Sequence, residues 1–216
     1  VSLQNCLSKR PYNIFQMFLS LIFALFIILI SIKFTLMFKP LYYFDVQYLK
    51  IEKISGFSRT EIINNYNYII NYILNPAHVE FDLPSMHYSR YGQIHFEEVK
   101  RIFNYIDILL ILTGIINAVG LYFNIRNRSF NFFKRTYLVL LAFITIPLIA
   151  FIINFNISFV VFHKIFFKNN YWLFDPKLDP IINILPQEFF YHSALLILIF
   201  ISISILTLRV IYKKLA

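Results

Sequence analysis

The sequence predicts an all-α membrane protein: four transmembrane helices with an extracytoplasmic cap of helix and short extended segments. Three observations carry this reading. Apolar runs at 14–32, 102–123, 137–157 and 189–208 each approach the roughly 20 residues a helix needs to cross a bilayer. The short termini and the 124–136 connector hold nine basic residues and no acid: Lys9, Arg10, Arg126, Arg128, Lys134, Arg135, Arg209, Lys213 and Lys214. All eleven acidic residues fall in segments that hydropathy assigns to the opposite side. By the positive-inside rule the basic side is cytoplasmic, so both termini lie inside and the chemistry belongs outside. The remaining eleven basic residues balance the eleven acids, which makes the net charge of +9 a cytoplasmic excess and not a nucleic-acid-binding surface.

The elements follow in order. The first apolar run follows Lys9 and Arg10, exceeds a signal-peptide core and lacks a small-residue cleavage site, so it reads as a retained anchor. Cys6 is the single cysteine and precedes this run on the reducing side, which excludes a disulfide framework and leaves a passive thiol. The cap comprises 33–101 and 158–188. Within it, YYFDVQYLKIEKI at 42–54 mixes aromatic and β-branched residues with polar alternation and predicts an extended strand near the interface. Ser58 and Glu61 have capping-box spacing ahead of the Ile62, Ile63, Tyr66, Ile69, Ile70 stripe, so a helix is expected from Arg59 to Leu74, ended by Pro76. From Gln93 onward, HFEEVKRIFNYI continues without a breaker into the second span. His95 then stands about 42 Å above the cytoplasmic end of that helix, and His163 about 39 Å along the antiparallel third. Pro147 is expected to kink the third span.

All five histidines, His78, His87, His95, His163 and His192, fall outside or at the outer boundary. His78 and His87 read as ordinary surface residues and His192 as a helix-packing residue at the start of the fourth span. The matching heights of His95 and His163 single them out as a pair. His95 and Glu98 have the i, i+3 spacing of a shared helix face, to which His163 could add a third metal ligand. There is, however, no HExxH, cysteine pair or paired-histidine motif, and no GxSxG nucleophile elbow, so no metal and no acyl-enzyme are expected. Asn104, Asp107, Asn117, Asn154 and Asn156 place polar groups in or beside spans, where they usually face a partner. Tyr171, Trp172 and Phe174 are also consistent with an interfacial aromatic belt. The residues alone leave three readings open: acyl-transfer enzyme, non-enzymatic lipid- or lipopeptide-binding protein, and metal-dependent membrane hydrolase.

FHKIFFKNNYWLFDPKLDPIINILPQEFF at 162–190 and SRYGQIHFEEVKRIF at 89–103 together resemble the lipoprotein intramolecular transacylase family. The shared features are a histidine before an amphipathic EVK helix, then an FH pair leading to N-x-W, D-P and L-P elements. FSRTEIINNYNYIINYI at 57–73 is similar to that family's cap helix, so the resemblance spans nearly the whole chain. It implies transfer of the sn-2 acyl chain of a diacylglyceryl-modified bacterial lipoprotein to the α-amino group of its N-terminal cysteine, giving the lyso form. The substrate is then the diacylated lipoprotein, met in membrane lipid without cofactor or metal. The resemblance assigns catalysis to His95 and His163. Tyr91, Phe162, Phe166, Trp172 and Phe174 are expected to line the substrate cleft. Glu98, Asn170, Asp175, Asp179 and Asp107 are expected to support them from behind.

Overall fold

A computed structural model describes residues 2–215, with side chains described from Ile14 onward. Cys6, Lys9 and Arg10 therefore lie outside the described side chains. The described residues contain seven α-helices, one 3₁₀ turn and no strand. The helices are α1 (Ser2–Met37), α2 (Lys39–Tyr48), α3 (Ile51–Ser55), α4 (Arg59–Leu74), α5 (Arg90–Arg126), α6 (Asn131–Phe166) and α7 (Gln187–Leu215), with the 3₁₀ turn at Pro180–Asn183. Stretches of α1, α5, α6 and α7 are long and apolar enough to cross a membrane. Ile152 and Ile153 on α6 are each 76% exposed. A protein in water tolerates few such surfaces, but acyl chains cover them at no cost.

The expected strand at 42–54 is helical instead, forming α2 and α3. Pro40 lies in the first turn of α2, where its missing N–H costs nothing. The buried set Tyr42, Asp45 and Val46 follows i, i+3, i+4 spacing, which overrides the apparent alternation. Lys50 at φ 54° turns the chain between the two helices. Helix α4 carries the expected capping box: Glu61 N–H donates to Ser58 Oγ at 3.3 Å and Ser58 N–H donates to Glu61 Oε2 at 3.0 Å.

The chain forms two compact units: 1–32, 108–149 and 197–216 in the first, 33–107 and 150–196 in the second. The first is built on Leu19, Ile27, Phe132, Leu140, Ile201 and Leu208. In it, Gln16 donates to Asn124 and Ser20 Oγ donates to the Phe132 carbonyl at 3.2 Å. A Cβ at Gly120 would meet the tip of the Leu19 side chain, which would then have to shift.

The second unit packs α2 and α4 around Tyr42, Tyr66, Ile69, Phe81, Phe96 and Ile184. Tyr42 and Tyr66 stack at 3.6 Å, and Tyr42 Oη donates to the Ile184 carbonyl at 2.8 Å. Burial pushes both phenols up. Each fully buried isoleucine on the α4 face contributes roughly 1.5–3 kcal/mol. The break in α6 falls at Asn154, whose backbone is extended (φ −168°, ψ 106°), and not at Pro147, which the helix absorbs. Asn154 Oδ1 accepts from Ile157 N–H at 3.0 Å, capping the resumed helix as an N-cap asparagine does.

Candidate active site

His95 is placed by the way α5 begins. Asp179, buried in the segment between α6 and α7, accepts from Ser89 N–H at 2.8 Å and Ser89 Oγ at 2.7 Å. Ser89 Oγ in turn accepts from Gly92 N–H at 3.0 Å. The carboxylate presses so closely on the first turn that a Cβ at Gly92 would lie 2.2 Å from Asp179 Oδ1. One turn on, His95 is 8% exposed, with ring centroids 4.7 Å from Phe167 and 5.4 Å from Phe174. Its Nδ1 is buried with no hydrogen-bond partner.

His163 lies in the last turn of α6. Its ring centroid is 6.2 Å from that of His95, and Phe167 touches both rings, 5.7 Å from His163. Trp172 stacks on His163 at 4.6 Å and Phe159 flanks it at 4.2 Å. His163 Nδ1 lies 2.7 Å from the Phe159 carbonyl oxygen. A carbonyl only accepts, so Nδ1 carries the hydrogen and, in the neutral ring, Nε2 carries the lone pair. The main chain thus selects the tautomer and turns the basic nitrogen away from its own helix.

Glu98, one turn beyond His95, accepts from Asn169 Nδ2 at 2.8 Å through Oε1. The Asn169 carbonyl accepts from Trp172 Nε1 at 3.1 Å. A short chain of contacts thereby joins the His95 helix to the indole that stacks on His163.

The other expected residues divide. Phe174 and Trp172 pack against the imidazoles. Phe162 meets His163 edge-on at 5.5 Å and lies tilted against Phe166 at 4.7 Å, and both are more than half exposed. Tyr91 stacks on Tyr171 at 4.5 Å. Asp175 is exposed and accepts from Lys177 N–H at 2.9 Å, a local turn contact. Asn170 is exposed, and its neighbour Asn169 makes the bond to Glu98. Asp107 is twelve residues from His95, about 18 Å along a helix, where it pairs with Lys33 at 2.6 Å. The exposed His87 meets the Lys177 carbonyl at 2.9 Å, and His78 is exposed. His192 Nδ1 lies 2.7 Å from Asp45 Oδ1. Burial raises the Asp45 carboxyl above the usual carboxylate range, against the opposing pull of that contact.

Sequence reasoning missed Phe159, Phe167, Asn169 and the Ser89–Gly92 turn. The i, i+4 series 159, 163, 167 was a usable signal for the first two. Among the described residues, no group of three His, Cys, Asp or Glu side chains is arranged to hold a metal ion.

Two imidazoles in an aromatic enclosure suit proton transfer in a reaction that must exclude water. A comparison with curated protein sequences finds no match. The family model described as lipoprotein intramolecular transacylase Lit matches residues 17–190. Among solved structures, the membrane integral lipoprotein intramolecular transacylase Lit from Bacillus cereus, determined in meso, shares 31% identity at a TM-score of 0.93, covering 96% of each chain. The same protein with a histidine changed to arginine shares 30% at a TM-score of 0.88, covering 99% of this chain and 96% of that one. With a histidine changed to alanine the values are 30% and 0.89, covering 98% of this chain and 96% of that one. The chain belongs to the lipoprotein intramolecular transacylase family, integral membrane acyltransferases of lipoprotein processing.

Proposed function

We propose that His95 and His163 jointly carry the transfer of the sn-2 acyl chain of a diacylglyceryl lipoprotein to the α-amino group of its N-terminal cysteine. The observation that carries this assignment is the pair of rings 6.2 Å apart, one with its tautomer set by a main-chain carbonyl. His163 Nε2 takes a proton from the amine as the new N–C bond forms at the ester carbonyl carbon. His95 gives a hydrogen bond to the developing oxyanion, using the polar capacity its surroundings leave unsatisfied. The ester C–O bond then breaks and His163 returns its proton to the departing glycerol oxygen. Amine proton and acyl group have exchanged places, and both histidines end as they began.

Nucleophile and ester belong to one substrate, so the protein's largest contribution is conformational. Holding them in attack geometry supplies up to roughly 7–11 kcal/mol of the barrier. Phe167, Trp172 and Phe174 are suited to that task and to keeping out water, which would hydrolyse the same ester. The site faces the extracytoplasmic side in this reading, with both termini inside. The polar segments and the basic inner connectors support that orientation.

The test is to incubate the purified protein with two diacylated lipopeptides, one carrying deuterated acyl chains. Mass spectrometry of the products should find each peptide N-acylated only by its own chain. Labels crossing between peptides, or an acylated protein trapped in mid-reaction, would overturn the direct mechanism.

A further inference from the structure

Glu98 lies one turn from His95 on the same helix, and one of its two carboxylate oxygens has no protein partner. Oε1 accepts from Asn169 Nδ2 at 2.8 Å, while Oε2 is buried with nothing to accept from. A buried carboxylate oxygen without a donor is rare and costly, and such an atom needs a reason. Three basic side chains of the same unit are engaged with other partners. Lys100 Nζ donates to the Ala77 carbonyl at 2.8 Å and sits 4.3 Å over the Tyr72 ring. Arg90 donates to Gln93 Oε1 at 3.1 Å, and Lys33 pairs with Asp107 at 2.6 Å.

Glu98 shares a helix face with His95, whose Nδ1 is equally buried and unpartnered. Through Asn169, which receives the Trp172 indole N–H at 3.1 Å, it is tied to the ring stacked on His163. Asn169 also fixes the carboxylate, so that the free oxygen keeps one direction.

We propose that Glu98 Oε2 is the recognition site for the substrate's α-amino group, accepting one N–H and holding the nitrogen beside the ester. The inference rests on the function proposed above. The free N-terminus is the basic group nearest the ester, and in either protonation state it has an N–H to give. As the N–C bond forms, the nitrogen gains positive charge until His163 removes its proton, and a fixed carboxylate beside it stabilises that charge. The product amide nitrogen is no longer basic and cannot become an ammonium, so the same contact favours substrate over product.

The experiment uses a dialkyl-ether lipopeptide, which cannot be turned over, and its deamino counterpart, bound to the full chain in lipid nanodiscs. Wild type should bind the amine form about tenfold more tightly, the factor of one charge-assisted hydrogen bond. Glu98→Gln puts an amide N–H₂ where the acceptor stood and should bring the two ligands within about twofold of each other. If that variant does not fold, Glu98→Asp withdraws the charge by one methylene and should cut the preference at least about threefold. No preference in wild type, or an undiminished one in the folded variant, overturns the assignment. Failure of the histidine reading looks different: His95→Ala and His163→Ala would keep turning over the ester substrate whatever Glu98 does.

Discussion

Three contacts act on His163, each on a different degree of freedom. The Phe159 carbonyl selects its tautomer, Trp172 sets the plane of its ring, and Phe167 sits against both imidazoles. Because the first is a main-chain contact, no side-chain change at 159 removes it. His163→Ala or His95→Ala should lower transfer by about 10²-fold or more, the range of general acid–base catalysis. Thermal unfolding close to that of the wild type would confirm that chemistry and not folding was lost, and Cys6→Ala should leave the rate unchanged. The two histidines were legible because helical rise brings them to similar heights and because the flanking motifs resemble a known family. Asn169 and the Phe159 carbonyl were not. A carbonyl leaves no trace in residue type, and an asparagine beside another asparagine gives no sign of which one faces inward.

At the level of elements, sequence signals held where local chemistry decides and failed where packing does. The capping box of Ser58 and Glu61 marks the start of α4 because both partners lie within four residues. The 42–54 segment was misread because alternation is a weak signal beside a buried face formed by Tyr42, Asp45 and Val46, whose partners lie on α4 and α7. In α6 the break depends on which residue gains a partner by leaving the helix. Asn154 accepts from the Ile157 N–H, whereas Pro147 stays within the helix. Asn154→Ala should therefore lower stability by about 1 kcal/mol, the usual cost of losing an N-cap. Calorimetry of the reconstituted protein measures it. Since the break precedes His163 by nine residues on the same helix, the variant should also slow transfer.

For the whole molecule, the spans were legible and their surroundings less so. Four apolar helices emerge as expected, longer than the apolar runs that announced them, because α5 extends through the His95 segment to Arg90 and α6 through His163 to Phe166. Division into two units, each with its own core, was not legible, since each core draws on residues far apart in the chain. Orientation in the bilayer yields to a direct measurement. With Cys6 replaced, a Phe130→Cys variant should resist an impermeant thiol reagent applied to intact cells and react once the membrane is opened. Labelling from outside would reverse the topology and the placement of the site with it.

Gly92 and Asp179 occupy the same few cubic ångströms, one by having no side chain and the other by filling that space with a carboxylate. Neither position is free to drift alone. Among natural relatives of this chain, a larger residue at the first site should be tolerated only where the second has shortened. Their joint history would then record how tightly the start of α5 must be gripped.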